Sequence, residues 1–516
     1  MREAPAADVP ATQLEDAAHL AGGHATGLAY PECEADVSAL VRRGVPLLPI
    51  GAQSSVTGGA TPMGELLVST AKLGRVLEIG HGFVRAQTGV TLDRLEPALN
   101  AAGWTYPPFP TWTAATVGGI VSTNAAGPAT FKHGVTRDWV LALSLVLPSG
   151  DVLDLTRGDA AVADDGRVTI ATPSGDLVLH VPDLPLPDVP KRSAGYHCAR
   201  GMDLIDLFVG AEGTLGILTE VTLRTVPHAS RTARAMVPVA AEPAAIAFVR
   251  ALRQASHSTW RRRDPDGIDV AAIEHLDRRS LELLREDGVD RRERFAYPDT
   301  ASVVLFVDLD LPATMTTAAA WAQVEGALER GGTDGPVARF CRLAAAHNLL
   351  EDAEIAMPDD MRRIAGMTAI REAVPAAVNA RVARARDAHG PAVRKTAADM
   401  IVPWHRFGEM MEVCRRAFES RDLDYAVWGH ISDGNVHPNL LPRRAADIDA
   451  GKAAVLELGR AVIAMGGCPL AEHGVGRHPV KKELLRMLYG EAGVAAMRAI
   501  KDAVDPDGRL SPGVIF

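Results

Sequence analysis

Four residues near the end of the chain have the types and spacing for joint chemistry. His430 and His437 stand in Trp428-Gly429-His430-Ile431-Ser432-Asp433-Gly434-Asn435-Val436-His437-Pro438-Asn439. Glu472 and His473 stand in Ala471-Glu472-His473-Gly474-Val475-Gly476. Two neutral imidazoles and a carboxylate suit a divalent first-row ion and leave a coordination position open for substrate. We read His430, His437 and Glu472 as the ligands, with zinc the first choice and manganese or iron acceptable to the same donors. His473 is expected as the catalytic base, because imidazole changes protonation near neutral pH. None of these intervals is a standard zinc spacing. Ordinary hydrogen-bonded histidines remain the alternative on the residues alone.

The elements that hold these residues matter as much as their types. An interval of seven puts two residues on one face of a helix but on opposite faces of a single strand. Asp433-Gly434-Asn435 is strong turn chemistry and interrupts any one element. The apolar run 425–428 reads as a strand entering that turn, and 436–441 as a strand leaving it. A hairpin of this kind can set residues of its two arms side by side.

Composition bounds the rest. A chain of 516 residues suggests roughly three domains. Hydrophobic content of 47% and charged content of 23% fit an ordinary globular protein. A net charge of −10 argues against a nucleic-acid surface, which needs clustered Lys and Arg. The five cysteines are scattered and never spaced as CxxC, which argues against a disulfide framework and an iron–sulfur site. The first ten residues lack the apolar core of a signal peptide, and no run of eighteen apolar residues exists, so no transmembrane segment is expected. A cytoplasmic setting follows as the expectation.

Three small-residue segments punctuate the first half. Residues 45–50 read as a buried strand running into Gly51-Ala52-Gln53-Ser54-Ser55-Val56-Thr57-Gly58-Gly59, a loop whose N–H groups could converge on an anion. It is neither a Walker loop nor GxGxxG. Ala115 to Gly127 is the second segment, and Phe208 to Leu223 the third, a glycine turn feeding a strand over 217–226. Such segments allow close approach of a large ligand to the backbone. A long cofactor draped across all three explains them more economically than three turns do. A weak helix is expected over 13–20, helices over 37–41 and 91–102, and a hairpin over 168–181. Beyond Pro227, residues 234–239, 268–274, 301–309 and 399–402 read as strands. Residues 244–256, 280–286, 317–330, 404–420, 447–465 and 481–504 read as helices. This alternation suggests an α+β domain with an antiparallel sheet.

The three segments and the two histidine-bearing runs carry a family resemblance. PIGAQSSVTGG, ATVGGIVSTNAAG and LFVGAEGTLGILTEVTL resemble the FAD-binding segments of the vanillyl-alcohol-oxidase-type flavoproteins, the FAD-linked oxidases. GHISDGNVHPN and AEHGVG narrow the resemblance to the group of D-lactate dehydrogenase, D-2-hydroxyglutarate dehydrogenase and the D-type subunit of glycolate oxidase. It spans residues 30 to 516. It implies an α+β fold: a two-part FAD-binding domain over 29–228 after a lead-in over 1–28, an α+β substrate or cap domain over 229–466 carrying the metal site, and a segment over 467–516 returning to the FAD domain. Ile50, Gly51, Ala52, Gln53, Ser54, Ser55 and Gly58 would wrap the pyrophosphate. Thr116, Gly118, Gly119 and Asn124 would line the flavin, and Glu212, Gly213 and Ile217 would complete the cleft. Two departures stand out: Gly51-Ala52-Gln53 replaces a frequent glycine triplet, and Ile120 a frequent asparagine. No His or Cys lies in the first loop, so the FAD is expected to be non-covalent.

The same resemblance implies the chemistry. Arg371 matches a substrate-carboxylate arginine, Lys395 a second cationic position and Asn439 a substrate-contacting asparagine. The implied reaction oxidises a D-2-hydroxy acid, D-lactate or a close analogue, to the 2-oxo acid: His473 takes the hydroxyl proton and the flavin N5 receives hydride. A glycolate-oxidase-like component of a larger complex is one alternative. A non-redox transferase like the alkyl-dihydroxyacetone-phosphate synthases is another, although Glu472 interrupts the histidine run those proteins carry. The electron acceptor is left open among a quinone, a cytochrome, an electron-transfer flavoprotein and oxygen. A homodimer and peripheral contact with the inner membrane are both compatible with the sequence.

Overall fold

A computed structural model describes residues 1–228, 230–329 and 331–516. Two positions with sequence expectations, Ala229 at a domain boundary and Arg330 at a helix end, lie outside the described residues. The chain divides into two compact units. One comprises Met1–Gly127, Gly134–His228 and Gly466–Phe516; the other comprises Pro128–His133 and Ala229–Met465. No helix among the described residues is long and apolar enough to cross a membrane.

The first unit holds two main sheets. Strands Arg2–Pro5, Gly27–Tyr30, Leu66–Ser69 and Leu47–Ile50 lie side by side in that order, parallel except at the first pair. An antiparallel sheet orders Val76–Gly80, Phe83–Gln87, Ile217–Arg224, Val140–Val146 and Val152–Thr156. Leu40 of helix Glu34–Val41, Leu47 and Val68 of the first sheet, and Val146 and Ile217 of the second share one apolar cluster. Burial of that surface is what holds the sheets together. The weak helix expected over 13–20 does not form; a single 3₁₀ turn, Ala11–Gln13, stands there. Asp16 explains the loss. Its carboxylate accepts from the N–H groups of Ala18 and Ala60 and from Thr61 Oγ1, each at 3.1 Å, so it serves a loop instead of a helix. The C-terminal helix Pro479–Val504 breaks at Gly490. Lys501 near its end donates to the carbonyl of Thr214 at 2.7 Å and so ties the helix to the third glycine segment.

The second unit is built on one seven-stranded antiparallel sheet, ordered Glu354–Ala356, Ser230–Val239, Val303–Pro312, Val270–Asp277, Tyr425–His430, Asn435–Leu440 and Met400–Ile401. Helix Met361–His389, absent from the sequence expectations, packs Met367, Ile370, Val374 and Val378 into a core with Leu276, Phe306 and Trp428. Those four positions recur at intervals of three and four, the stripe of one helix face. Pro375 lies inside the helix and hides it from sequence reasoning, because proline normally ends a helix. The helix expected over 317–330 runs only Thr317–Glu325, followed by a turn at Gly326.

The hairpin forms as expected, and its register decides the question of faces. Trp428 pairs with His437 and His430 with Asn435. His430 is two residues from Trp428, so His430 and His437 project from the same side of the sheet. Gly429 makes the close pairing feasible. A Cβ there would lie 2.6 Å from the carbonyl oxygen of Asn435 and 2.7 Å from Val436 Cα.

Candidate functional site

In the first unit the three small-residue segments meet in one cleft. Ile50, Gly51, Ala52, Gln53, Ser54 and Ser55 line it from the first segment. Thr116, Gly118 and Gly119 line it from the second, and Glu212, Gly213 and Ile217 from the third. Gln53 adopts a left-handed conformation at φ 51°. Among the described residues the N–H groups of Ser54, Ser55 and Val56 meet no protein acceptor. Successive free donors on such a turn form a concavity suited to a phosphate. The walls are glycine, alanine, serine and threonine over most of their extent, and the segments approach closely: a Cβ on Gly51 would stand 2.3 Å from Thr116 Oγ1. A long, flat, anionic cofactor such as FAD fits these donors and this absence of side chains.

Two expected members do not line the cleft. Gly58 sits in the turn with φ 75°, beside Leu20, and Gly59 takes the place at the wall. Asn124 is spent on structure: its Oδ1 accepts from Arg137 N–H at 2.9 Å, and its Nδ2 donates to the Arg192 carbonyl at 3.3 Å. The structure adds members the sequence did not single out for this role, including Thr88, Trp112 and Ala126. Ala126 lies within the second small-residue segment, whereas Thr88 and Trp112 lie outside all three.

Glu472 and His473 line the same cleft. Glu212 holds their loop in place. Its carboxylate accepts from the N–H groups of Val475 and Gly476, both at 2.8 Å. Burial outweighs those two hydrogen bonds and pushes the Glu212 carboxyl up to about 7. Glu472 Oε1 lies 2.5 Å from Nζ of the fully buried Lys191, and His473 Nε2 lies 4.0 Å from Glu472 Oε2. Lys191 carries no motif around it and was not expected.

In the second unit the hairpin face brings His430, His437 and Asn439 together, and Glu274 ties Arg371 to them. The His430 and His437 rings stand edge to face with centroids 5.6 Å apart. His430 Nδ1 meets Glu274 Oε1, and Arg371 Nε donates to Glu274 Oε2 at 2.6 Å. Burial opposes ionisation of Glu274, but His430 and Arg371 outweigh it and hold the carboxyl well below its ordinary value. His437 Nδ1 is 3.5 Å from Asp399 Oδ1, which also accepts from Asn435 Nδ2 at 3.2 Å. The turn between the histidines is fixed from outside by Trp404 Nε1, which donates to the Ile431 carbonyl at 2.8 Å, and by the Arg253 guanidinium on the Ser432 carbonyl. Asn439 donates from Nδ2 to the His437 carbonyl at 3.0 Å, while its buried Oδ1 meets no protein donor. Lys395 is half-buried, and desolvation pushes its amine down to about 8. His430 thus has a carboxylate hydrogen-bonded behind Nδ1, the backing that metal-binding imidazoles usually have, and His437 has the Asp399 carboxylate near its Nδ1. This donor chemistry fits a divalent ion.

Comparison with known proteins agrees with the architecture. The model of the FAD binding domain matches residues 25–156, and that of the C-terminal domain of FAD linked oxidases matches residues 239–515. The chain is 27% identical over 483 residues to glycolate oxidase subunit GlcD of Bacillus subtilis, covering 92% of this chain and 84% of that one. It is 26% identical to D-lactate dehydrogenase of Anaerostipes hadrus, with 91% and 84% covered, and to D-2-hydroxyglutarate dehydrogenase of Xanthomonas citri, with 95% and 89% covered. The fold matches a solved alkyldihydroxyacetonephosphate synthase at a TM-score of 0.60 and 14% identity, over 95% of this chain and 76% of that one. The chain therefore belongs to the FAD-linked oxidases, with an FAD-binding domain and an α+β second domain built on an antiparallel sheet.

Proposed function

We propose that the protein oxidises a D-2-hydroxy acid, D-lactate or a close analogue, to the corresponding 2-oxo acid. Bound FAD would supply the acceptor for the C2 hydrogen with its electron pair, and a divalent ion on His430, His437 and Glu472 would supply Lewis acidity toward the hydroxyl. One observation carries the proposal: His473, an imidazole, stands on the wall of the cleft that the three glycine segments make. A base is needed there because the hydroxyl proton must leave as the C2 hydrogen departs.

The remaining residues have tasks that follow from their chemistry. His473 takes the hydroxyl proton, with Glu472 Oε2 4.0 Å from its Nε2. Among the described residues Arg371 commits only Nε, to Glu274, which leaves its terminal nitrogens to receive a substrate carboxylate as a fork. Lys395 adds a second cation with no ion-pair partner among the described residues. Asn439 Oδ1 is an acceptor held in reserve for a substrate donor.

Anaerobic mixing with D-lactate, D-2-hydroxyglutarate, glycolate and the L-acids tests the assignment. One D-acid is expected to bleach the flavin absorbance while its L-form leaves it unchanged. Bleaching by glycolate alone would move the assignment to the glycolate-oxidase-like alternative, and no bleaching by any acid would overturn both. Chelation of the ion is expected to slow reduction without changing the oxidised flavin spectrum. Flavin fluorescence is expected to leave the protein band on a denaturing gel.

A further inference from the structure

Glu274 is a buried carboxylate to which the proposed chemistry gives no task. It pairs directly across the strands with His430, so the two side chains share one sheet face. Oε1 meets His430 Nδ1, and Oε2 accepts from Arg371 Nε at 2.6 Å. Each oxygen is thus committed to a different residue with a different task. Against a carboxylate, Nδ1 of the neutral imidazole carries the proton, and the Nε2 lone pair is left for an ion. Pinning Nε of the arginine fixes the guanidinium plane, and with it the direction of the two terminal nitrogens.

We infer, on the metal reading proposed above, that Glu274 is a positioning residue that sets the tautomer of His430 and the plane of Arg371 at once, so that metal affinity and recognition of the substrate carboxylate depend on one side chain. Glutamine cannot take its place. Both partners present N–H donors, and an amide offers one acceptor oxygen beside an NH₂ group. Glu274→Gln must therefore either turn donor against donor on one side or drive His430 into the other tautomer, with the proton on Nε2 and no lone pair there for an ion. Aspartate keeps the charge but is one methylene shorter, so it cannot span both partners. A purely structural ion pair between the helix Met361–His389 and the sheet would act differently, changing stability and leaving affinity alone.

The test uses the full-length, FAD-loaded protein and zinc, titrated against a chromophoric chelator. Glu274→Gln is expected to weaken zinc binding by roughly 10- to 100-fold with FAD content and circular dichroism unchanged. Saturating zinc is expected to restore kcat while KM stays raised, for D-lactate or whichever acid of the panel reduces the flavin, because the arginine half of the damage does not involve the ion. Glu274→Asp should fall between the variant and the wild type in both readouts. Unchanged zinc affinity in Glu274→Gln, or recovery of KM together with kcat, overturns the inference while leaving the proposed function intact. A wild type that takes up no zinc, manganese or iron removes the metal reading and this role together. If Glu274→Gln does not fold, Glu274→Asp decides: a folded aspartate variant with wild-type zinc affinity and KM sinks the role.

Discussion

In the first unit the candidate site is made of backbone. Its walls are glycine, alanine and small hydroxyl residues, its donors are N–H groups of a turn, and the carboxylate of Glu212 is satisfied by two further N–H groups. In the second unit the site is made of charge. His430, Glu274 and Arg371 form one buried chain, and His437, Asp399 and Asn435 form another. A backbone-made site fails when a side chain is added, because the space it needs is lost. A charge-made site fails when a side chain is removed, because a buried partner is left uncompensated. The first kind holds a large cofactor by shape, and the second orients small groups by electrostatics.

Residue 473 gives the sharpest way to break that contrast, since it is a chemical residue on a backbone-made wall. His473→Ala is expected to slow flavin reduction by roughly 10²- to 10⁴-fold, measured by anaerobic stopped flow, with FAD content unchanged. Near-normal reduction would mean that the proton leaves by another route. Next in size is a substitution that fills the cleft. Gly51→Val places atoms where even a Cβ meets Thr116 Oγ1 at 2.3 Å. A clash of that kind costs about 1–3 kcal/mol, and where the Thr116 side chain yields into the cleft to relieve it, that is roughly 5- to 150-fold in FAD affinity. The ratio of flavin to protein absorbance reads it, and zinc affinity should not move. Loss of both cofactors together would show that the two kinds of site are not separable.

The same contrast explains what the sequence discloses. Sites made of backbone are contiguous in the chain, so PIGAQSSVTGG, ATVGGIVSTNAAG and LFVGAEGTLGILTEVTL are legible as runs, and twelve of the fourteen residues expected in the three line the cleft. Asn124 is indistinguishable from its neighbours in such a run, because only the fold shows that Arg137 and Arg192 occupy its side chain. Sites made of charge are assembled across distant segments. His430 and His437 are visible because a turn separates them, but Glu274 lies 156 positions away in an apolar strand with nothing local to mark it. Lys191 and Asp399 were equally silent as partners. The hairpin was legible from Asp433-Gly434-Asn435 while its register was not, and helix Met361–His389 was masked by Pro375.

Glu212 sharpens the contrast from the other side, as the titratable group that backbone donors hold. Its folded pKa is raised by burial from the ordinary 4.5 to about 7. The folded state therefore binds the proton more tightly than the unfolded state does. The associated stability is fully present below pH 4.5 and is lost as pH rises through 7, by about 3 kcal/mol in all. Apoprotein unfolding followed in urea from about pH 4.5 to about 8 should show this decline. Glu212→Gln, which cannot titrate, should flatten it whatever its effect on the absolute stability. An equal slope in the variant would mean that another group is responsible.

The smallest effect expected is the most discriminating for the charge-made face. Among the described residues the Asn439 side chain makes one hydrogen bond, from Nδ2 to the His437 carbonyl, and leaves a buried Oδ1 without a protein donor. A buried polar atom with no partner normally costs stability, so Asn439→Ala removes one hydrogen bond but also relieves that penalty. The net change in unfolding free energy should stay within about 1 kcal/mol. If the oxygen is kept for substrate, KM should nevertheless rise several-fold while zinc affinity and FAD content hold. A variant destabilised by about 3 kcal/mol or more with an unchanged KM would assign Asn439 to the hairpin alone, and the face would then consist only of residues that pair with one another or carry charge.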